Sequence, residues 1–139
     1  MDWGTAEGEA GEEQRIATDP RFAASINHFN DAQWYAAHDG LEELWHETSG
    51  PCRPVLQGIL QIAVAQLHRE RGNERGAVIL LGEGLGRLRR GPDRVLGLDL
   101  GALKAAAQVH LQQLQRGQQG DPEALAGLPA LTVRRVPLG

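Results

Sequence analysis

Two histidines and one carboxylate stand at positions where their side chains can share a ligand. His38 and Glu42 are four residues apart in the stretch FNDAQWYAAHDGLEELWHE, and His68 ends the stretch RPVLQGILQIAVAQLH. Residues four apart lie one turn apart on a helix, which is the spacing of two side chains that chelate one metal ion. With His68 as a third ligand, the pattern is compatible with a divalent-metal site.

Two glutamines extend this polar set. At about 100° per residue, Gln57, Gln61 and His68 fall on one narrow stripe of a segment that is otherwise apolar almost all round. His38 lies on the core-facing stripe of its own segment, between two tryptophans. We therefore expect His38 and Glu42 to meet this polar stripe between two packed helices.

A closed hydrogen-bond network is the simpler interpretation of the same residues. Glutamine amides and neutral imidazoles carry both donors and acceptors, so they can satisfy one another when buried. We expect His38 to be held by Gln61 or His68, and Glu42 to face Arg53 or the same cluster. Because glutamine is a poor metal ligand and bundle metal sites gather more carboxylates, no cofactor is predicted. A metal held by His38, Glu42 and His68 stays the alternative.

Three further features have structural interpretations that we favour. Arg53 lies near a helix start, and we expect Glu42 or Glu43 to compensate it, although Arg53 and Arg71 could also bind an anionic ligand. Cys52 lies at the same helix start, where a thiolate would be stabilised, but no histidine adjoins it in the sequence. A basic cluster fits a solvated helix end and consists of Arg87, Arg89, Arg90 and Arg94.

Composition excludes several classes of protein. The chain has 139 residues, a net charge of −4 and a single cysteine. This balance favours neither a nucleic-acid surface nor an anionic membrane as partner, and one thiol cannot form an internal disulfide. The sequence has no apolar run long enough to span a bilayer and an acidic start unlike a signal peptide, so we expect a cytoplasmic location.

Capping and stop signals divide the chain into five helices and two flanking segments. Residues 1–18 read as a mobile acidic arm, 19–117 as the helical domain, and 118–139 as a tail in which Asp121-Pro122 can start a short helical turn. The helices are expected at about 19–30, 33–48, 53–71, 73–90 and 99–117. No segment shows convincing strand alternation. We predict an all-α fold: an irregular five-helix bundle around a long central helix, 53–71, with tetratricopeptide-like (TPR-like) helical hairpins.

The sequence resembles a bacterial family, domain-of-unknown-function family 309, over roughly residues 22–103. The resemblance is carried by AHDGLEELW and by RPVLQGILQIAVAQLH followed by RGN, and one departure is Asp39, where the family more often has Glu. It implies a compact all-helical fold and no assigned activity. The residues that match the family's motifs are Asn30, His38, Glu42, Trp45, Arg53, Gln57, Gly58, Gln61, His68, Arg71, Gly72 and Asn73.

Two functions follow as hypotheses. The first is a small helical binding or scaffold protein, with a protein partner or a small ligand, in which the polar cluster is buried and structural. The second is a metal-dependent enzyme or small-ligand binder that uses His38, Glu42 and His68. The sequence leaves the oligomeric state open.

Overall fold

A computed structural model describes residues 11–138 and confirms the all-α prediction. Residues 11–17 form helix α1, which is followed by four helices, a two-stranded hairpin, a sixth helix and a final short strand. The bounds of these later elements are α2 Pro20–Asn30, α3 Trp34–Glu47, α4 Cys52–Glu70, α5 Glu74–Arg89, β1 Arg94–Val95, β2 Leu98–Asp99, α6 Leu100–Gln118 and β3 Arg134–Arg135. The five expected helices are all present, whereas α1 and the strands were not expected. The TPR-like character of the hairpins stays a prediction.

Side-chain caps explain why the helix boundaries could be predicted closely from the sequence. The carboxylate of Asp19 accepts a hydrogen bond from the backbone N–H of Arg21, and Asn73 and Asp99 cap α5 and α6 in the same way. These caps satisfy backbone donors that have no partner inside the helix. Gly72 follows the end of α4 with a φ of 77°. Glycine adopts this left-handed conformation without strain.

The long helix α4 is central, as predicted, and packs on both α3 and α5. Ile59 and Ile62 are fully buried and Leu60 is nearly so, while Val64 is half-buried. The contact with α5 is especially close at two glycines. A Cβ on Gly84 would lie 2.7 Å from the carbonyl oxygen of Gly58, which is closer than real side chains approach.

The N-terminal segment departs from the expected mobile arm. Residues 1–10 of that arm lie outside the described residues, but residues 11–17 form a helix whose Ile16 is 3% exposed. The Glu12 carboxylate accepts hydrogen bonds of 2.8 Å from the backbone N–H groups of Gly50 and Cys52. Pro51 gives α4 no side-chain cap of its own, so Glu12 supplies that cap from 38 residues away. A carboxylate is among the groups that cap a helix start well.

The C-terminal segment is held against the helices by hydrogen bonds and apolar contacts. Strand β2 pairs antiparallel with β1 and with β3, in the order β1-β2-β3. Leu131 and Val133 are buried, and the Asn30 amide both donates to the Val133 carbonyl and accepts from the Val133 N–H, at 3.0 and 2.8 Å. This segment therefore covers part of the core. Within residues 11–138, no helix combines the length and apolarity needed to cross a membrane.

Alanine substitutions at two glycines of α5 should have opposite effects on stability. Gly84→Ala forces α4 and α5 apart and should lower the free energy of unfolding by about 1–3 kcal/mol, the usual cost of overpacking. Gly82→Ala is the matched control, because its Cβ would meet no atom within 4 Å. It should raise stability by roughly 0.5–1 kcal/mol through helix propensity. Urea denaturation of both variants checks this, and equal effects would contradict the close helix approach.

Candidate functional site

The structure pairs His38 with a residue of its own helix. Its Nε2 lies 3.0 Å from the Glu42 carboxylate, and the His46 Nε2 lies 3.9 Å from the other oxygen of that carboxylate. The expected hydrogen bond from His38 to Gln61 or His68 is therefore wrong, because Gln61 and His68 bond to other residues. The other nitrogen, Nδ1, is buried without a hydrogen-bond partner.

Gln61 forms a network with α5 instead of α3. Its side-chain oxygen accepts a 2.9 Å hydrogen bond from Nε of Arg87, and its NH₂ donates to Glu83 at 3.2 Å. Gln57 is half-buried and takes no part in this network. Gln61 of the expected polar stripe thus fixes α4 against α5.

His68 is tied to the junction between α4 and α5. The Asn73 NH₂ group lies 3.0 Å from the His68 Nδ1 and can donate to it, while the Asn73 oxygen caps α5. The expected cluster is therefore divided into three separate groups. Across residues 11–138, no group of three or more His, Cys, Asp or Glu side chains is placed to hold a metal ion.

Arg53 compensates a helix end and not a carboxylate. Its Nη1 donates to the carbonyl oxygens of Trp45 and Thr48, at 2.8 and 2.9 Å, and its guanidinium lies 4.1 Å from the centroid of the Trp45 ring. These carbonyls lie at the C-terminus of α3, where the helix dipole favours a cation. The prediction that Glu42 or Glu43 would compensate Arg53 is therefore wrong. Trp45, which was expected in the core, is half-buried. Arg71 lies at the opposite end of a 19-residue helix, so it cannot share a small anion with Arg53.

No nucleophile with an activating base occurs in the described part of the chain. Burial raises the pKa of the Cys52 thiol to about 12, and the neighbouring Glu12 carboxylate adds to this effect. The thiol is therefore protonated at neutral pH, whereas a nucleophilic cysteine must be a thiolate. The hydroxyls of Ser25 and Thr48 each donate to a backbone carbonyl four residues earlier. Among residues 11–138, no hydroxyl or thiol is hydrogen-bonded to a histidine.

The basic cluster is mostly a solvated helix end, as expected, because Arg89, Arg90 and Arg94 are exposed. Arg87 is half-buried in the Gln61 network, and Arg89 donates to Gln108. Arg87 and Arg90 also border an apolar cleft of about 390 Å³ between the start of α4 and the end of α5. Its apolar walls are formed mainly by Pro51, Pro54, Val55 and Pro92.

A second cavity contains a polar group that the sequence did not single out. It has a volume of about 340 Å³ and lies between the start of α3, the end of α4 and residues 128–130. Gln66 lines it, is only 4% exposed, and has a buried side-chain oxygen without a hydrogen-bond partner. The other lining residues that bear on its chemistry are Trp34, Arg69, Glu70, Leu128 and Ala130. We call this space the Gln66 cavity.

His110 of α6 lies close to the wall of the Gln66 cavity. It is 2% exposed, and neither ring nitrogen has a hydrogen-bond partner. Burial lowers the pKa of His110, the nearby Pro129 carbonyl opposes this shift, and the Arg69 guanidinium adds to the lowering. Arg69 lines the Gln66 cavity and Pro129 lies between two residues that do, so His110 is beside it. Because the pKa of His110 is lowered, its imidazole is neutral at neutral pH.

This buried imidazole should make stability depend on pH. Its pKa in the fold lies below the ordinary value of 6.5, so the unfolded chain binds the extra proton first as pH falls. The stability due to neutral His110 is complete above pH 6.5 and is lost as pH falls through the lower folded pKa. Thermal melts from neutral to mildly acidic pH should show a smaller loss for His110→Leu than for the wild type. An identical loss in both would contradict this assignment.

The comparisons with known proteins identify a family and no activity. A search of curated proteins finds no match to this chain. The family model described as Domain of unknown function (DUF309) matches residues 22–80, which run from α2 into α5 and include His38, Glu42, Gln61 and Gln66. The resemblance noted in the sequence is thereby confirmed over residues 22–80, where the chain matches the DUF309 family model.

Proposed function

We propose that this chain is a small helical binding protein and that the Gln66 cavity holds its ligand. The ligand is a small molecule with a group that can hydrogen-bond to a primary amide. The proposal keeps the binding hypothesis of the sequence but moves the site from the His38 cluster to the other end of α4.

The unsatisfied amide of Gln66 carries the proposal. A buried acceptor without a partner destabilises a fold by about 1–3 kcal/mol, so each such group in a native structure calls for an explanation. Rotation of the amide by a half-turn exchanges its oxygen with its NH₂ group, so Gln66 can offer a ligand an acceptor or two donors. Gln61, about one and a half turns earlier, differs because Arg87 and Glu83 satisfy its amide.

The shape of the cavity also suits a small ligand. Its volume is about 340 Å³. Ligand sites in proteins usually have volumes from about 300 Å³ upward, so this one can enclose only a small molecule. Three separate parts of the chain form its walls, so the ligand would contact α3, α4 and the C-terminal segment together. The Asn30–Val133 hydrogen bonds hold that segment close to the cavity.

The catalytic alternative has less support. His68 pairs with Asn73 and lies apart from the His38–Glu42 pair, and the Cys52 thiol is protonated. A metal-dependent enzyme would need a rearrangement that brings His68 to the His38–Glu42 pair. Element-resolved metal analysis of the purified chain separates the two functions, because stoichiometric metal that is lost in His38→Gln would favour the enzyme. A cytoplasmic location accords with the single reduced cysteine.

A pair of glutamine substitutions tests the proposed site. Gln66→Leu removes an unsatisfied buried amide, so it should leave the free energy of unfolding unchanged or raise it by about 1–3 kcal/mol. Gln61→Leu leaves Arg87 and Glu83 without their partner and should lower stability by about 1–3 kcal/mol. Urea denaturation of the ligand-free protein measures both. Equal losses in the two variants would mean that the Gln66 amide is structural, and would overturn the proposed site.

A further inference from the structure

We infer that the ligand of the Gln66 cavity is a free α-amino acid with an aliphatic side chain. This inference rests on the proposed function and adds the chemical class of the ligand. It depends on two opposite charges, one amide and one rigid apolar wall, all on residues that line the cavity.

Arg69 and Glu70 bring both charges to the cavity. They are consecutive residues of α4, so their side chains leave the helix about 100° apart and do not neutralise each other. Among residues 11–138, neither takes part in a salt bridge, so both charges are available to a ligand. The Arg69 guanidinium can bind a carboxylate through two parallel hydrogen bonds, and the Glu70 carboxylate can bind an ammonium group.

The position of these residues on α4 strengthens the case for an ammonium group. Gln66, Arg69 and Glu70 are spaced i, i+3 and i+4, so they share one face of the helix. They lie in the last turns of α4, where the partial negative charge of the helix dipole favours a cation. The Gln66 NH₂ group can donate a hydrogen bond to the carboxylate of the same ligand.

The remaining walls fit an aliphatic side chain. Trp34 is 4% exposed and packs edge-on against Phe29, with ring centroids 5.0 Å apart and an interplanar angle of 89°. This contact fixes the indole ring as a rigid wall. Leu128 and Ala130 form the apolar surface contributed by the C-terminal segment. These apolar walls suit an aliphatic side chain.

His110 does not compete with Arg69 for the carboxylate. The pKa of this buried imidazole is lowered, so it adds no positive charge beside the guanidinium at neutral pH. Arg69 is therefore the cation that selects the acid group, and Glu70 is the anion that selects the amine.

Isothermal titration of the full chain with three matched compounds tests the inference. L-leucine carries both charges, 4-methylpentanoate lacks the ammonium group and 3-methylbutylamine lacks the carboxylate. L-leucine should bind roughly tenfold or more tightly than either analogue, because each lost charge removes a charge-assisted hydrogen bond. Equal binding of all three, or stronger binding of an analogue, would overturn the zwitterion inference and leave the proposed binding function intact.

Charge-removing variants then assign the two ends of the ligand. Arg69→Gln should weaken L-leucine binding by roughly tenfold and leave the weak binding of 3-methylbutylamine unchanged. Glu70→Gln should weaken L-leucine binding similarly and leave that of 4-methylpentanoate unchanged. Arg71→Gln is the control, because Arg71 is exposed and does not line the cavity. If none of the three compounds binds, the inference is wrong, and the two glutamine variants decide separately whether the proposed site survives.

Discussion

The backbones of α4 and α5 approach so closely that neither Gly58 nor Gly84 has room for a side chain. This contact determines where the rest of α4 can lie. It brings Gln61 within hydrogen-bonding distance of Arg87 and Glu83, and it buries Ile59 and Ile62. Because α4 is a continuous helix of 19 residues, fixing its middle also fixes its last turns, where Gln66 lies. The proposed site therefore depends on packing more than one helical turn away.

Much of the fold could be predicted because its helices carry local signals. Asp19, Asn73 and Asp99 each cap a helix within two or three residues, so the sequence nearby contains the whole interaction. Helix α1 was missed because its Glu12 caps a helix 38 residues away and its acidic composition suggests a solvated arm. The β1–β2 hairpin was missed because its turn places Leu96 at a φ of 58°. A leucine rarely adopts this left-handed conformation, so Gly97, which follows at a φ of 67°, was the only residue of the pair that indicated a turn.

The site was harder to predict because a helical wheel gives directions and not neighbours. Gln61 was recognised as polar and inward-facing, but the same direction can meet α3 or α5. His38 was expected to reach across to another helix, although Glu42 lies one turn away on its own helix. Gln66 gave no signal, since it stands in an apolar segment and its importance comes from the absence of a partner. An absent partner can be recognised only when all surrounding elements are in place.

The hydrogen bonds of Glu12 and Asn30 have a consequence for how this protein is divided into modules. The segment recognised as DUF309 ends at residue 80, before Gly84 and before the C-terminal strand. Glu12 lies before it and Val133 far after it, yet both complete backbone hydrogen bonds at its helices. The region that a family comparison recognises is thus completed in this chain by residues on both sides of it. Its central helix is capped by Glu12, which precedes the segment, and packs closely on Gly84 and Leu88, which follow it.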